Sequence, residues 1–481
     1  MVMNLNEIKA SPNYKWFVMA NVAVGTFMST LDSSIVNVTL PTMSTYFKAN
    51  INLIQWVVSI YLLTTSSLLL VFGRCADILG RKKIYSLGFI VFIIGSAFCG
   101  FSQSVYMLIA SRAVQATGAA MMMANGMGII TSIFPPKERG RALGLIGTVV
   151  AAGSMTGPTL GGILVTAFGW PSIFLVNLPI GLIGFFASRW FLPDDNSCEI
   201  QEPFDWAGAI LFASGMSLFL WGLTQGEQIG WTKPVIYGSL IISILALVVF
   251  LYRALTTRYP IIDLSLFKNW VFLGGNLAGL VSFISMFATT LIMPFYMKGV
   301  LHFQEMHIGL MMTPFPLAMA IVAPISGWLS DRLGYLALTT SGLLLNVAGL
   351  MLLATLNTNS SSLFIASCMT MLGVGMGLFQ SPNNSSVMGA VPPQKLGIAG
   401  GINALVRNVG MVTGIAFSVS LLSYGRAVYL KGIAAPTDAQ QAAAFVSSMS
   451  TVFHWAAFIA LIGIFFSTVR IKAGKTPVMQ K

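Results

Sequence analysis

GRCADILGRKK, residues 73–83, and GWLSDRLG, residues 327–334, carry one pattern 254 positions apart: Gly, then Asp four residues on, then Gly three later. Glycine permits tight turns and close backbone packing. Asp77 and Arg81, four apart, pair if their segment is helical; the same residues also suit a plain basic turn. The echo continues in order. PPKERGRALG at 135 matches PPQKLGIAGG at 392, and GSMTG at 153 matches GMVTG at 410, both offset by 257. Several short matches in one order and near one offset make the two ends of the chain related halves in the same orientation. Parallel repeats of this kind enclose a site near the membrane midplane and alternate access by rocking.

The solvent follows from composition. Charged residues are 8% of 481, hydrophobic residues 56%, and the mean hydropathy is +0.81, against about 25% charged in a soluble chain. That reads as a polytopic membrane protein. Apolar stretches fall near 16–39, 52–73, 84–102, 105–130, 140–167, 170–192, 206–223, 234–253, 271–297, 307–329, 336–356, 362–389, 397–424 and 446–469. The expected architecture is all-α with fourteen spans: a six-helix bundle over 1–192, a linker and two added helices over 193–270, and a second six-helix bundle over 271–481. The first apolar segment is too long for a signal-peptide core and should stay attached.

Of the 26 Lys and Arg, only Lys48, Lys233, Lys298, Arg426 and Lys431 fall in loops on one side, and Arg112 and Arg407 fall inside spans. The rest gather on the side of both termini, which places the termini in the cytoplasm. The net charge of +12 therefore marks inner loops, and no basic run with interleaved aromatics suggests nucleic acid. Four scattered cysteines, Cys75 and Cys198 in loops and Cys99 and Cys368 in apolar runs, imply neither a disulfide framework nor a metal site. No GxxxxGK[ST] loop is present, so an ion gradient rather than ATP must drive uphill transport.

Two charges stand out inside spans. Asp32, in LDSSIVNVTLP (31–41), lies about seven residues before the outer end of its span. Arg112, in RAVQATG (112–118), lies about seven residues into a span entered from outside, roughly 10 Å deep. Intramembrane charges are costly and are usually paired or face a cavity, so equal depth makes these two partners, in a static structural pair or in a working one. GSMTGPTLGG (153–162) sets small residues on one helical face, which lets helices approach closely, and Pro158 removes a backbone hydrogen bond.

These segments, with FLVNLPIG at 174–181, resemble the fourteen-helix drug:proton antiporter branch of the major facilitator superfamily over nearly the whole chain. The resemblance implies a non-enzymatic, cofactor-free monomer in the cell membrane. It would exchange protons for a small amphiphilic substrate within the lipid bilayer. It assigns a gating loop to Gly73, Asp77, Gly80, Arg81 and Asp331, proton coupling to Asp32 and Arg112, and the antiporter motif to Gly153, Gly157, Pro158, Gly161 and Gly162. The first-span motif maps onto Asp32, Asn37 and Pro41. Ser34 stands where the family usually has Thr, Pro171 where it often has Arg, and no acid lies in a C-half span.

The substrate cavity is expected to draw on Gln55, Tyr61, Gln115, Met122, Asn125, Asn276, Phe283, Phe287, Asn383, Asn384 and Arg407. Arg407 would meet an anionic substrate group or bond helix carbonyls. Asp32, Arg112 and Arg407 together leave the interior near +1, which leans toward neutral, zwitterionic or anionic amphiphiles. His454 belongs to the last, peripheral span and is expected to have no proton role. Alternatives to an exporter are a proton-coupled uptake symporter and a lipid or lipid-precursor translocator.

Overall fold

The computed structural model describes residues 11, 13–49, 51–193, 202–433 and 435–470, with the side chains at 37, 38, 41, 51, 52, 158, 159, 305 and 306 outside the description. The expectations for Asn37, Pro41, the Pro158 side chain, Cys198 and the linker at 194–201 therefore lie outside the described residues. Every regular element described is helical, as apolar surroundings demand, because a helix satisfies its own backbone hydrogen bonds.

The helices are α1 Tyr14–Phe47, α2 Ile51–Leu79, α3 Arg81–Gly100, α4 Val105–Ile133 and α5 Arg139–Phe168. They continue with α6 Ser172–Phe191, α7 Trp206–Ile229, α8 Pro234–Thr256, α9 Trp270–Gly299 and α10 His307–Leu333. The last four are α11 Tyr335–Ala354, α12 Ser362–Gly389, α13 Leu396–Tyr429 and α14 Asp438–Val469. Among the described residues, eleven of these are long and apolar enough to cross a membrane on their own, and up to twelve spans result if a bent pair counts as one. The remaining helices, α1, α4 and α5, are 34, 29 and 30 residues long.

Several helices overrun their expected apolar stretches. α7 adds TQGEQI, α13 adds residues 425–429 and α14 begins at DAQQAAAF. Local capping carries these polar turns: at α14 the Thr437 side chain accepts from the Gln440 backbone while Gln440 reaches back, a complete capping box.

α1 to α6 pack on one another, as do α9 to α14. α2 and α4 meet α13, and α5 meets α10 and α12, across the seam between the two groups. At one end, called here the turn face, Gly80 and Gly334 break the chain between α2 and α3 and between α10 and α11, with φ of 96° and 86°. Both values lie in the region that only glycine adopts without strain, so the two repeat glycines serve the same purpose. Cys75, expected in a loop, belongs to α2 because the helix runs on to Leu79 before that break.

α7 and α8 lie beside the seam. α7 packs on both α2 and α13. Ser67 and Ser217 hydroxyls lie 2.8 Å apart, Gln228 Nε2 donates to Gln55 Oε1 at 2.8 Å, and Trp231 Nε1 donates to Ser420 Oγ at 3.1 Å. Ion pairs Arg74–Glu202 and Lys395–Asp263 hold the connecting segments at the turn face.

Candidate functional site

Asp32 is completely buried, and its partners come from two other helices. Arg112 Nη1 of α4 donates to Oδ2 at 2.5 Å, while Gln115 Nε2 of α4 and Asn177 Nδ2 of α6 donate to Oδ1 at 2.8 and 3.0 Å. Gln115 also donates to Ser96 Oγ of α3 at 2.8 Å and accepts from Arg112 Nη1 at 2.6 Å. Arg112 Nε donates to the Val57 carbonyl of α2 at 3.0 Å, and the guanidinium lies 4.2 Å from the centre of the Tyr61 ring. The carboxylate thus accepts three hydrogen bonds, one from a cation, which is the arrangement a buried charge requires. Equal depth pairs the right two residues. Gln115 and Tyr61, expected in the substrate cavity, take part in this charge network. Gln115 sits three residues after Arg112 and therefore shares its helical face. Neither Asn177 nor Ser96 stands out in the sequence, although Asn177 lies inside FLVNLPIG.

The glycine–proline segment has a direct packing consequence. Along its first turns α5 faces α10 and α12: Ser381 Oγ donates to the Gly140 carbonyl at 3.0 Å and Thr148 Oγ1 to the Ala320 carbonyl at 2.7 Å. From Gly153 onward it turns to α1. A Cβ at Gly153 would overlap Thr30 Oγ1, one at Gly157 would overlap Ser34 Oγ, and one at Gly161 would stand 2.8 Å from Ile35 Cγ1. Ser34 Oγ donates to the Gly153 carbonyl at 3.1 Å. α13 repeats the arrangement on α9, where a Cβ at Gly410 would meet Phe283 and one at Gly414 would overlap the Ile284 carbonyl. Both helices cross the seam at the turn face and pack on their own group farther along.

A Cβ at Gly162 would meet nothing within 4 Å, and this glycine faces outward. Gly157→Ala should therefore cost about 1–3 kcal/mol of stability through overpacking and most of the transport. Gly162→Ala should be neutral or gain up to ~1 kcal/mol of helix propensity. Thermal denaturation and vesicle transport of the two variants check this; equal effects would remove the packing role.

The repeated loops close the turn face. Asp77 Oδ1 and Oδ2 accept from the backbone N–H of Gly397 and Ile398 at 2.8 and 2.9 Å, and Asp331 accepts likewise from Gly140 and Arg141 at 3.0 and 3.1 Å. The aspartates stand 254 residues apart and the N–H groups they bond 257 apart. The expected Asp77–Arg81 pair exists at 3.4 Å, but across the Gly80 break rather than along one helix. Arg81 also donates to the Pro393 carbonyl. A Cβ at Gly73 would stand 2.6 Å from the Gly397 carbonyl, which accounts for that glycine.

The remaining cavity candidates divide by position. Gln55 turns to α7 through Gln228. Met122 lies in the first group's core against Gly88 of α3, because a flexible apolar side chain fills the gap a glycine leaves. Asn383 serves the second group, donating to the Gly275 carbonyl at 3.1 Å and accepting from Arg470 Nη2 at 2.6 Å. Asn384 accepts from Asn403 at 3.3 Å. Asn125 and Asn276 bond their own helices through Nδ2 to Met121 and Phe272, and their Oδ1 atoms have no partner among the described residues. Phe283 and Phe287 are partly buried on α9. His454 is exposed and bonded to the Ser450 carbonyl of its own helix at 2.7 Å. Arg470, expected in a tail, is buried at the end of α14 and bonds Ser386, Gly274 and Asn383.

Two helical groups in parallel repeat, a seam closed at one face and a buried charge pair beside it define a transporter of small molecules. The Major Facilitator Superfamily profile matches residues 22–415, and the chain belongs to that family. It is 40% identical to the riboflavin transporter RibZ of Clostridioides difficile over 85% of this chain and 88% of that protein. It is 32% identical to the multidrug resistance protein Stp of Mycobacterium tuberculosis over 83% of this chain and 74% of that one. Among solved structures, the proton:xylose symporter XylE matches with a TM-score of 0.67 at 13% identity, covering 94% of this chain and 95% of that chain. The protein is accordingly a multi-pass membrane transporter.

Proposed function

We propose that this chain is a proton-coupled antiporter that exports lipophilic or amphiphilic small molecules by alternating access. Fourteen spans would form two six-helix bundles, 1–192 and 271–481, joined by 193–270, in a monomer with both termini cytoplasmic. In that orientation the closed turn face is cytoplasmic. The observation that carries the reading is the buried Asp32–Arg112–Gln115–Asn177 network, which joins four hydrogen-bonding side chains beside a seam that must open and close.

Desolvation favours a neutral carboxyl group and an adjacent guanidinium favours the carboxylate. In the contact geometry the Arg112 guanidinium faces the Asp32 carboxyl group. A rocking motion that draws α4 from α1 leaves an uncompensated carboxylate, which takes a proton from the outside. Closure restores the guanidinium contact and releases the proton to the cytoplasm while substrate leaves in the opposite direction. Everted vesicles given an acid-inside gradient should accumulate a neutral or anionic lipophilic dye, and gradient-independent or inverted movement would defeat this reading. The 40% identical riboflavin transporter favours a second reading for the cargo, a flavin-like heteroaromatic. Labelled riboflavin in the same vesicles tests it, and no uptake above protein-free vesicles would end it.

A further inference from the structure

The charge pair leaves one interior cation over. Arg407 of α13 is partly buried, and among the described residues no hydrogen bond or ion pair is made to its guanidinium. Its place is fixed by its neighbours on the helix. Gly400 packs against the Ala124 carbonyl of α4. Ala404 forms an apolar layer with Leu69 of α2 and Ala124. Arg407 follows these on the same helical face, seven and three residues on, so it points between α2 and α4 just beyond that layer, toward the far face. Asn408 beside it donates to Ser66 Oγ of α2 at 3.3 Å. Tyr61, whose ring stacks on Arg112, also lies within electrostatic reach of Arg407.

Among the described residues no acidic side chain neutralises this charge. Asp32 is committed to Arg112, Asp77 and Asp331 to helix N-termini, and α9, α11, α12 and α13 contain no Asp or Glu. The repeat offers no structural precedent either: at the 257-residue offset the first half has Val150. Arg470 shows what a structural arginine looks like in this protein, with Ser386, Gly274 and Asn383 all accepting from it. Arg407 has no such set, and an intramembrane cation without a partner faces a cavity that supplies one.

We infer that Arg407 is the anchor for an anionic group of the transported molecule. The space above the Leu69–Ala124–Ala404 layer then selects amphiphiles bearing a carboxylate or a comparably acidic oxygen. The guanidinium presents a planar fork of donors that matches two oxygens at once, and the apolar layer beneath accepts the aromatic or aliphatic body. This rests on the seam being the transport cavity and names the substrate class for it.

The test is equilibrium binding to the purified full-length protein in nanodiscs without any gradient, so that failure of proton coupling leaves it unaffected. Fluorescein is the anionic probe and rhodamine 6G the cationic one, read by fluorescence polarisation. Arg407→Gln should weaken fluorescein binding about tenfold or more while leaving rhodamine 6G unchanged or tighter, and Arg407→Lys should restore part of the loss. A change under twofold for fluorescein, or equal weakening of both dyes, overturns the inference. Should Arg407→Gln lose its monodisperse profile, the wild-type protein decides alone: tighter binding of rhodamine 6G than of fluorescein overturns the inference, and the reverse order supports it.

Discussion

Asp32→Asn is expected to abolish gradient-driven transport while downhill equilibration of the substrate persists. Each proton crossing 100 mV supplies about 2.3 kcal/mol, roughly fifty-fold accumulation, and that accumulation should fall to none. The amide keeps one acceptor oxygen, so with that oxygen on Arg112 its NH2 faces the Gln115 and Asn177 donors that the carboxylate accepted. Breaking a buried pair by removing one partner costs about 3–5 kcal/mol, and here the survivor is a guanidinium that does not shed its proton. Arg112→Gln leaves a carboxyl group instead, which neutralises itself by taking a proton. The two variants should therefore differ: Asp32→Asn loses more thermal stability in detergent than Arg112→Gln, and both lose uphill transport. Everted-vesicle accumulation and melting curves on the pair measure this. Uphill export by Asp32→Asn would remove the coupling role, and a greater loss in Arg112→Gln would remove the charge argument.

The pair is legible because depth is countable from sequence: two charges equally far from one membrane surface invite contact. The direction in which a side chain leaves its helix is not countable in the same way. Gln55 and Gln115 both suit a polar cavity by type, yet one bonds α7 and the other bonds Asp32. The choice depends on the rotation of each helix, which packing settles. Asn177 is hidden for a related reason. It sits near the start of α6 in a segment whose first turn, Ser172–Leu175, is a separate element, so its reach to α1 is set by tertiary placement. Arg470 adjoins the basic tail and reads as part of it, until α14 carries it back against Gly274 and Asn383. The glycines are more informative. The pattern of the repeat locates both positive-φ breaks and both cross-seam helix starts, since only glycine satisfies those backbone demands.

Asp77→Ala is expected to shift the protein toward a form open at the turn face, by about 10- to 100-fold in population, and Asp331→Ala to do so less. The first N–H groups of a helix lack intrahelical acceptors. α13 and α5 have no side-chain cap of their own at Lys395 and Glu138, so each receives its acceptor from the aspartate of the other group. A carboxylate at a helix N-terminus contributes about 1–2 kcal/mol in partly buried geometry, and hydrogen bonds to a charged acceptor reach about 1.5–3 kcal/mol. Asp77 is fully buried, whereas Asp331 is partly exposed, so water replaces the lost acceptor more readily at the second site. The order Asp77 over Asp331 follows from that difference, even though the two sites are equivalent by repeat. Spin labels at Leu79 and Gln394, both exposed on either side of the seam, report the separation by pulsed dipolar spectroscopy. Asp77→Ala should convert the short-distance population to a longer one, with loss of transport. Unchanged distances would show that the glycine contacts alone close this face, and a larger shift in Asp331→Ala would contradict the burial argument.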